Sequence, residues 1–545
     1  MPIFFNLESH LWIAYLFFFN GLLIHWCLRR FSESYADLTE TLEAQVLAAF
    51  FLSIALNGLL LLALSLIGFG FILLNVFLPL LSMCLVLLFV WGNSVPVIKQ
   101  TIACDWNYWR LSLYAVVFVV LFYNGGLIEQ TSDAWWHMSL ANKIGMASSY
   151  FLDTGHLNGT YARYYPPLWH GNLALANTLS AESLPVIWNS FTAWGAVLKV
   201  MGFYLMSFSL SNDKSIAVLS AILFVLLPGM GDSYLRVSAW PSHIAYTAWF
   251  FLFFVSFSIL DALRPQISGW REGLKLLRMQ KAKILFAFLL MSVIAFSHLV
   301  ELLFFAFAIL FYFIGVSVHS ILSKGLSIEV EPAAWAINLL GRLLTSGALI
   351  VSIWFIYHDW QQLRENIDLS IAYCIPPVIL MIILLLQKAR WQNKSWALGL
   401  LFVGAVILLL SIDARHLYSL FDPERAYPRA IYHELPLTAA GWFGAKMNIP
   451  GWHLQLRSAL LYTGVAGLLI SIFMSFYMPS RATIFLAATA IGALLFCSSP
   501  YLFHWLREVL NYHSPWRIAI LMFHPMVFAL AIEQCWQVFR ARAAE

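Results

Sequence analysis

The chain has 545 residues, 61% of them hydrophobic and 11% charged, with a mean hydropathy of +0.79. A soluble domain carries about 25% charged residues, so a soluble enzyme or carrier is excluded. The net charge of +4 is small for this length and gives no footing for nucleic acid. Apolar runs recur from end to end, each close to the roughly 20 residues that cross a bilayer, which predicts an all-α, polytopic transmembrane helical bundle. A membrane β-barrel would show alternating segments of about ten residues instead.

About fifteen spans of crossing length are expected. They lie near residues 11–28, 45–66, 70–92, 110–128, 186–209, 215–229, 240–260, 284–300, 303–319, 334–356, 371–387, 397–412, 458–478, 483–497 and 518–535. The first run is followed by Arg29-Arg30 and reads as a retained span rather than a cleaved signal. The stretch 284–319 fits one long tilted helix, two spans or a re-entrant hairpin. Lys and Arg gather after the first span, at 99–110, 264–283 and 388–394, at Arg481, and at Arg540 and Arg542. The positive-inside rule puts these on the cytoplasmic face of the inner membrane, with the N-terminus outside and the C-terminus inside. Residues 1–109 read as an N-terminal module of three spans or so, 110–535 as the core, and 536–545 as a cytoplasmic tail. The six cysteines are scattered, without metal-ligand spacing or a disulfide framework.

The outer face then collects segments 129–185, 229–239, 357–370, 412–457 and 498–516. The first opens with Thr131-Ser132-Asp133-Ala134-Trp135-Trp136-His137. A carboxylate beside two interfacial tryptophans is placed to take a proton from a hydroxyl at the lipid–water boundary, which makes Asp133 the candidate base. A helix N-terminus at Ser132 or Asp133 fits the same residues, with an interface helix over 133–149. His137 follows one turn later on the same face. Tyr164-Tyr165-Pro166-Pro167-Leu168-Trp169-His170 is not ordinary helix through its prolines. It reads as an extended segment leading into a helix, with Tyr165, Trp169 and His170 lining a sugar pocket or forming a structural turn.

His298 and Glu301 share a helical face at the outer end of the 284–319 stretch, where ionisable groups need a partner or a task. With Asp133 they make a loose ligand set for a divalent cation, too scattered to specify one. Arg517 precedes the last expected span and suits a lipid phosphate or pyrophosphate. The loop 412–457 adds Arg415, Arg425 and Arg429, and a further outer loop carries Asp232 and Arg236 just before Trp240-Pro241-Ser242-His243. Phosphate-loop, zinc-helix and nucleophile-elbow motifs are absent.

At these residues the chain resembles the polytopic GT-C glycosyltransferases of bacterial type, which use polyprenyl-phosphate-linked sugars. Asp133-Ala134-Trp135-Trp136-His137 sits where that superfamily keeps the acid of its first large outer loop. Tyr165-Pro166-Pro167-Leu168, Ser297-His298-Leu299 and Trp516-Arg517 resemble its proline segment, its histidine motif and its late arginine. The resemblance runs over roughly 110–530, by order and placement. It implies a GT-C-like core and one inverting transfer from a polyprenyl-phosphate sugar to a cell-envelope glycan or lipid acceptor. Asp133 would be the general base, with Arg517 and His298 or His137 helping the leaving phosphate. Members often pair two acids and begin with one span before the catalytic loop. Here Asp133 stands beside Ser132, which favours a single-base mechanism over a metal, and about four spans come first. Those extra spans suit contact with envelope-assembly proteins. Three rivals use the same features: a flippase for a lipid-linked saccharide, a polymerase or ligase with a lipid-pyrophosphate donor, and a non-catalytic scaffold.

Overall fold

A computed structural model describes residues 7–68, 73–93, 108–124, 132–147, 166–180, 182–226, 235, 238–263, 278–322, 462–498, 518, 520, 521 and 523–544. The spans expected between 334 and 412, the loop 412–457, Tyr165 and Arg517 lie outside the described residues. Among the described residues every regular element is helical. They are α1 (Leu7–Phe31), α2 (Glu33–Leu38), α3 (Leu42–Ile67), α4 (Leu74–Asn93), α5 (Tyr108–Asn124), α6 (Ser132–Ala147) and α7 (Leu168–Ser180). There follow α8 (Leu184–Ser211), α9 (Lys214–Leu226), α10 (Pro241–Leu263), α11 (Lys281–Leu322), α12 (Tyr462–Tyr477), α13 (Arg481–Ser498) and α14 (His524–Ala544). Five of them, α1, α3, α8, α10 and α11, are long and apolar enough to cross a membrane. The protein is a multi-pass membrane protein.

Local chemistry sets the helix ends. Ser32 and Thr41 cap α2 and α3, their hydroxyls accepting from Tyr35 N and Ala44 N at 3.3 Å. Pro185 stands in the first turn of α8, and Pro241 begins α10. Asp213 caps α9, accepting from Ser215 N at 2.7 Å. Ser480 and Thr483 cap each other ahead of α13, at 2.9 and 3.2 Å. The last helix begins later than the expected 518. Ile518, Ile520 and Leu521 are in tighter 3₁₀ turns and Phe523 has φ +42°, so regular helix starts only at His524, with Pro525 in its first turn.

The stretch 284–319 is a helical hairpin. Helical backbone breaks at His298, with φ −162° and ψ 99°. The two limbs then run beside α10 in opposite directions. Lys283 Nζ donates to Ser258 Oγ at 3.0 Å, and Phe286 packs on Phe251. On the other limb Phe305 packs on Phe253 and Tyr312 on Phe257. A straight helix would hold Lys283 and Tyr312 roughly 40 Å apart. Instead both reach the same end of α10, so the chain reverses at His298. The second limb lies against α13, where a Cβ at Gly315 would come within 2.6 Å of Ala488 Cβ. Close backbone approach of this kind is how small residues join membrane helices.

The described helices of the N-terminal module, α1 to α4, share the core of the later helices. Phe17 packs on Trp169 and Phe191, and a Cβ at Gly21 would overlap Ala49 O of α3. Tyr15–Phe19 of α1 is π-helical, a wider turn that leaves backbone carbonyls in need of donors. Asn57 Nδ2 of α3 donates to Leu16 O at 3.0 Å, and to Asn172 Oδ1 of α7 at 3.0 Å. Asn172 Nδ2 in turn donates to Ile54 O and Leu168 O. These two buried amides fasten α7 to α1 and α3. At the opposite end Arg110 of α5 lies 3.5 Å from the Glu43 carboxylate of α3 and donates to Tyr204 OH of α8 at 2.6 Å.

Asn57→Leu leaves Leu16 O and Asn172 Oδ1 without that donor, and is expected to lower stability by about 1–3 kcal/mol. Thermal unfolding of purified variants checks this, with Asn57→Gln expected to fare better than Leu.

Candidate functional site

Of the polar groups named from the sequence, His137, His170, His298 and Glu301 lie where α6 packs on α7 and the turn of α11 comes near α7. Pro167 precedes α7 as its cap residue, its carbonyl accepting from Gly171 N at 2.7 Å. The helix it launches buries His170 completely against α6, where His137 Nδ1 lies 2.9 Å from His170 Nε2. Pro166 O lies 3.4 Å from His170 Nδ1 and takes that nitrogen's proton, so His137 donates and His170 Nε2 accepts. The His137 ring sits among Trp136, Trp188 and Trp240, at 4.9, 6.2 and 6.1 Å between centroids. Burial lowers the His170 pKa to about 4, against the opposing pull of the Pro166 carbonyl. The nearby His298 lowers it further, which places the α11 turn within electrostatic reach of the pair.

His298 at that turn bonds through Nδ1 to the Glu301 carboxylate, and Glu301 is wholly buried. The extended residue at the break aims the imidazole back toward the start of the second limb. The two groups expected to share a helical face do pair, but across the extended residue at the break rather than along continuous helix. Asp133 lies in the first turn of α6, one turn before His137. The observed α6 covers nearly the whole of the interface helix expected over 133–149.

Trp169 is placed differently from the expected sugar-stacking role. Its ring is fully enclosed, its Nε1 donates to Ala239 O at 2.6 Å, and it packs on Phe17 and Phe191. It anchors α7 to the segment before α10. The reason is its register: one residue before His170, it faces α1 and α8 while His170 faces α6.

A second buried cluster adjoins the first and was not ranked from the sequence. Lys199 of α8 is wholly buried, with Nζ 2.5 Å from His243 Nδ1 and 3.0 Å from Ser238 Oγ. Trp240 lies between it and His137, 6.3 Å from His243. A lysine in the middle of an apolar span was the available signal, since such residues rarely sit there without a task. Among the described residues no group of three His, Cys, Asp or Glu side chains could hold a metal ion. The imidazole and carboxylate of His298 and Glu301 are bonded to each other.

No family model matches the chain, and no curated protein matches it. Among solved structures it is similar to the archaeal oligosaccharyltransferase AglB from Archaeoglobus fulgidus in complex with an inhibitory peptide and a dolichol-phosphate. The TM-score is 0.40 at 16% identity, over 80% of this chain and 51% of that one. The chain thus spans about half the length of that structure.

The histidine pair gives a pH dependence with a definite sign. The His170 pKa of about 4 in the fold lies below its ordinary 6.5, so the unfolded chain takes the proton first. Stability is full above pH 6.5 and falls as pH drops toward about 4, by about 3 kcal/mol in all. Thermal unfolding across that range is expected to show the slope in the native protein and to lose most of it in His170→Asn.

Proposed function

We propose that the protein is a membrane glycosyltransferase that moves a sugar from a polyprenyl-phosphate donor to a glycan or lipid acceptor at the outer membrane–water boundary. The observation that carries this reading is the convergence on one end of an apolar bundle. There the helix bearing Asp133 and His137, the helix bearing His170, and the His298–Glu301 turn all meet. Polar groups at such depth are costly, and a charged lipid headgroup supplies the task that retains them.

In this mechanism the Asp133 carboxylate accepts the proton of the acceptor hydroxyl. The freed oxygen attacks the anomeric carbon from the face opposite the phosphate. The bond from that carbon to the phosphate oxygen breaks, its electron pair leaves with the lipid phosphate, and the configuration inverts. His298 and Arg517 stabilise the charge that develops on the departing phosphate. A lipid-borne donor reaches such a site sideways through the bilayer, which accounts for its placement at the interface.

Asp133→Asn is expected to cut sugar transfer by about 10²–10⁴-fold while donor binding persists. The assay is transfer by purified protein in nanodiscs from a panel of polyprenyl-phosphate sugars. Equal transfer by wild type and variant would remove Asp133 from the mechanism. Donor binding and bilayer crossing without transfer by either would establish a flippase.

A further inference from the structure

A second cavity lies away from the histidines, between the first turns of α1, the early part of α4 and the last turns of α7. Its volume is about 660 Å³. It is open along one side, and its volume is within the roughly 300–1,000 Å³ of small-molecule pockets. Leu11, Trp12, Pro79 and Leu179 give it an apolar wall, and Glu8 and Thr178 give it polar positions. Tyr15 also lines it and is held by a 2.9 Å hydrogen bond to Ser82 Oγ, which pins α1 to α4.

Three observations together point to a lipid. The helices beside the cavity expose large apolar side chains, Leu7 and Leu11 on α1, and Val76, Phe77 and Leu80 on α4. A surface of that kind meets acyl chains, so an occupant enters from the bilayer. The lining carries one acid, the exposed Glu8, and no described lining residue is basic. A phosphate headgroup is repelled there, and a hydroxyl or an amine is welcomed. Finally, α7 carries both sites: Thr178 stands roughly 12 Å along the helix from His170.

We infer that this cavity binds a lipid whose head bears hydroxyl or amine groups and no phosphate, the class from which an acceptor is drawn. Assignment as the acceptor rests on the transfer reaction proposed above; binding itself does not. The two ends of α7 then sort two lipids by charge, the phosphate-bearing donor to the imidazoles and the phosphate-free lipid to Glu8.

The test is photolabelling of the full-length protein in nanodiscs with two diazirine-tagged probes, a monoacylglycerol and a polyprenyl phosphate. The monoacylglycerol is expected to label peptides containing Trp12 or Pro79. Leu11→Trp and Thr178→Phe, which fill the cavity, should each reduce that labelling by about fivefold or more. The polyprenyl phosphate should label these peptides weakly in wild type and gain by about fivefold or more in Glu8→Lys. Glu8 is exposed, so that variant folds even if the filling variants do not. Labelling elsewhere, labelling unchanged by the filling variants, or equal labelling by the two probes in wild type would each overturn the inference. Labelling needs no sugar transfer, so an inactive preparation leaves this test standing. Transfer by a protein whose cavity stays unlabelled would overturn this inference alone.

Discussion

The reversal of the chain at His298 is the constraint on which the polar end of the molecule depends. A turn enclosed by apolar helices leaves its ionisable groups only protein partners, and leaving one unpaired is costly. One residue of extended backbone makes the turn, and the imidazole it carries pairs with Glu301 in the next helical turn. The hairpin sets its two limbs along α10 and brings the turn within electrostatic reach of His170. Without it, His298 and Glu301 would have no route to the helices that carry His137 and His170.

The remaining polar contacts of the interior work as fasteners between apolar surfaces. Asn57 and Asn172 join α1, α3 and α7, and the π-helical turn of α1 supplies a carbonyl that Asn57 fills. Arg110, Glu43 and Tyr204 do the same for α3, α5 and α8 at the other end. Directional contacts of this kind tie the register of the helices to particular side chains, as apolar packing alone does not. The first spans are therefore tied to the helix that bears His170.

Much of this was legible in the sequence. Hydropathy located most of the described helices to within a few residues, because length and apolarity are what a bilayer demands. Pro167 was read as leading into a helix and does so; Pro185, Pro241 and Pro525 also stand at helix starts, the last of them later than hydropathy placed it. His137, His170, His298 and Glu301 stood out as polar groups in apolar surroundings. Their pairing was not legible. His137 and His170 are 33 residues apart and meet only because α6 packs on α7. The fold-back at His298 has no glycine or proline to announce it, since extended backbone suits any residue. Trp169 looked like a stacking surface, because sequence shows its type and not the side of the helix it occupies. Lys199 stood in view as a charge inside an apolar run, and only its partners, His243 and Ser238, were not legible.

The central claim is that the imidazole-lined end of the bundle holds the phosphate of a lipid-linked sugar. An experimental density map of the protein in nanodiscs, with a polyprenyl phosphate bound, tests it most directly. The account predicts phosphate density beside His137 and the His298 turn, with the isoprenoid chain running into the bilayer. Phosphate density at the Arg110–Glu43 end, or in the cavity beside Glu8, would contradict it.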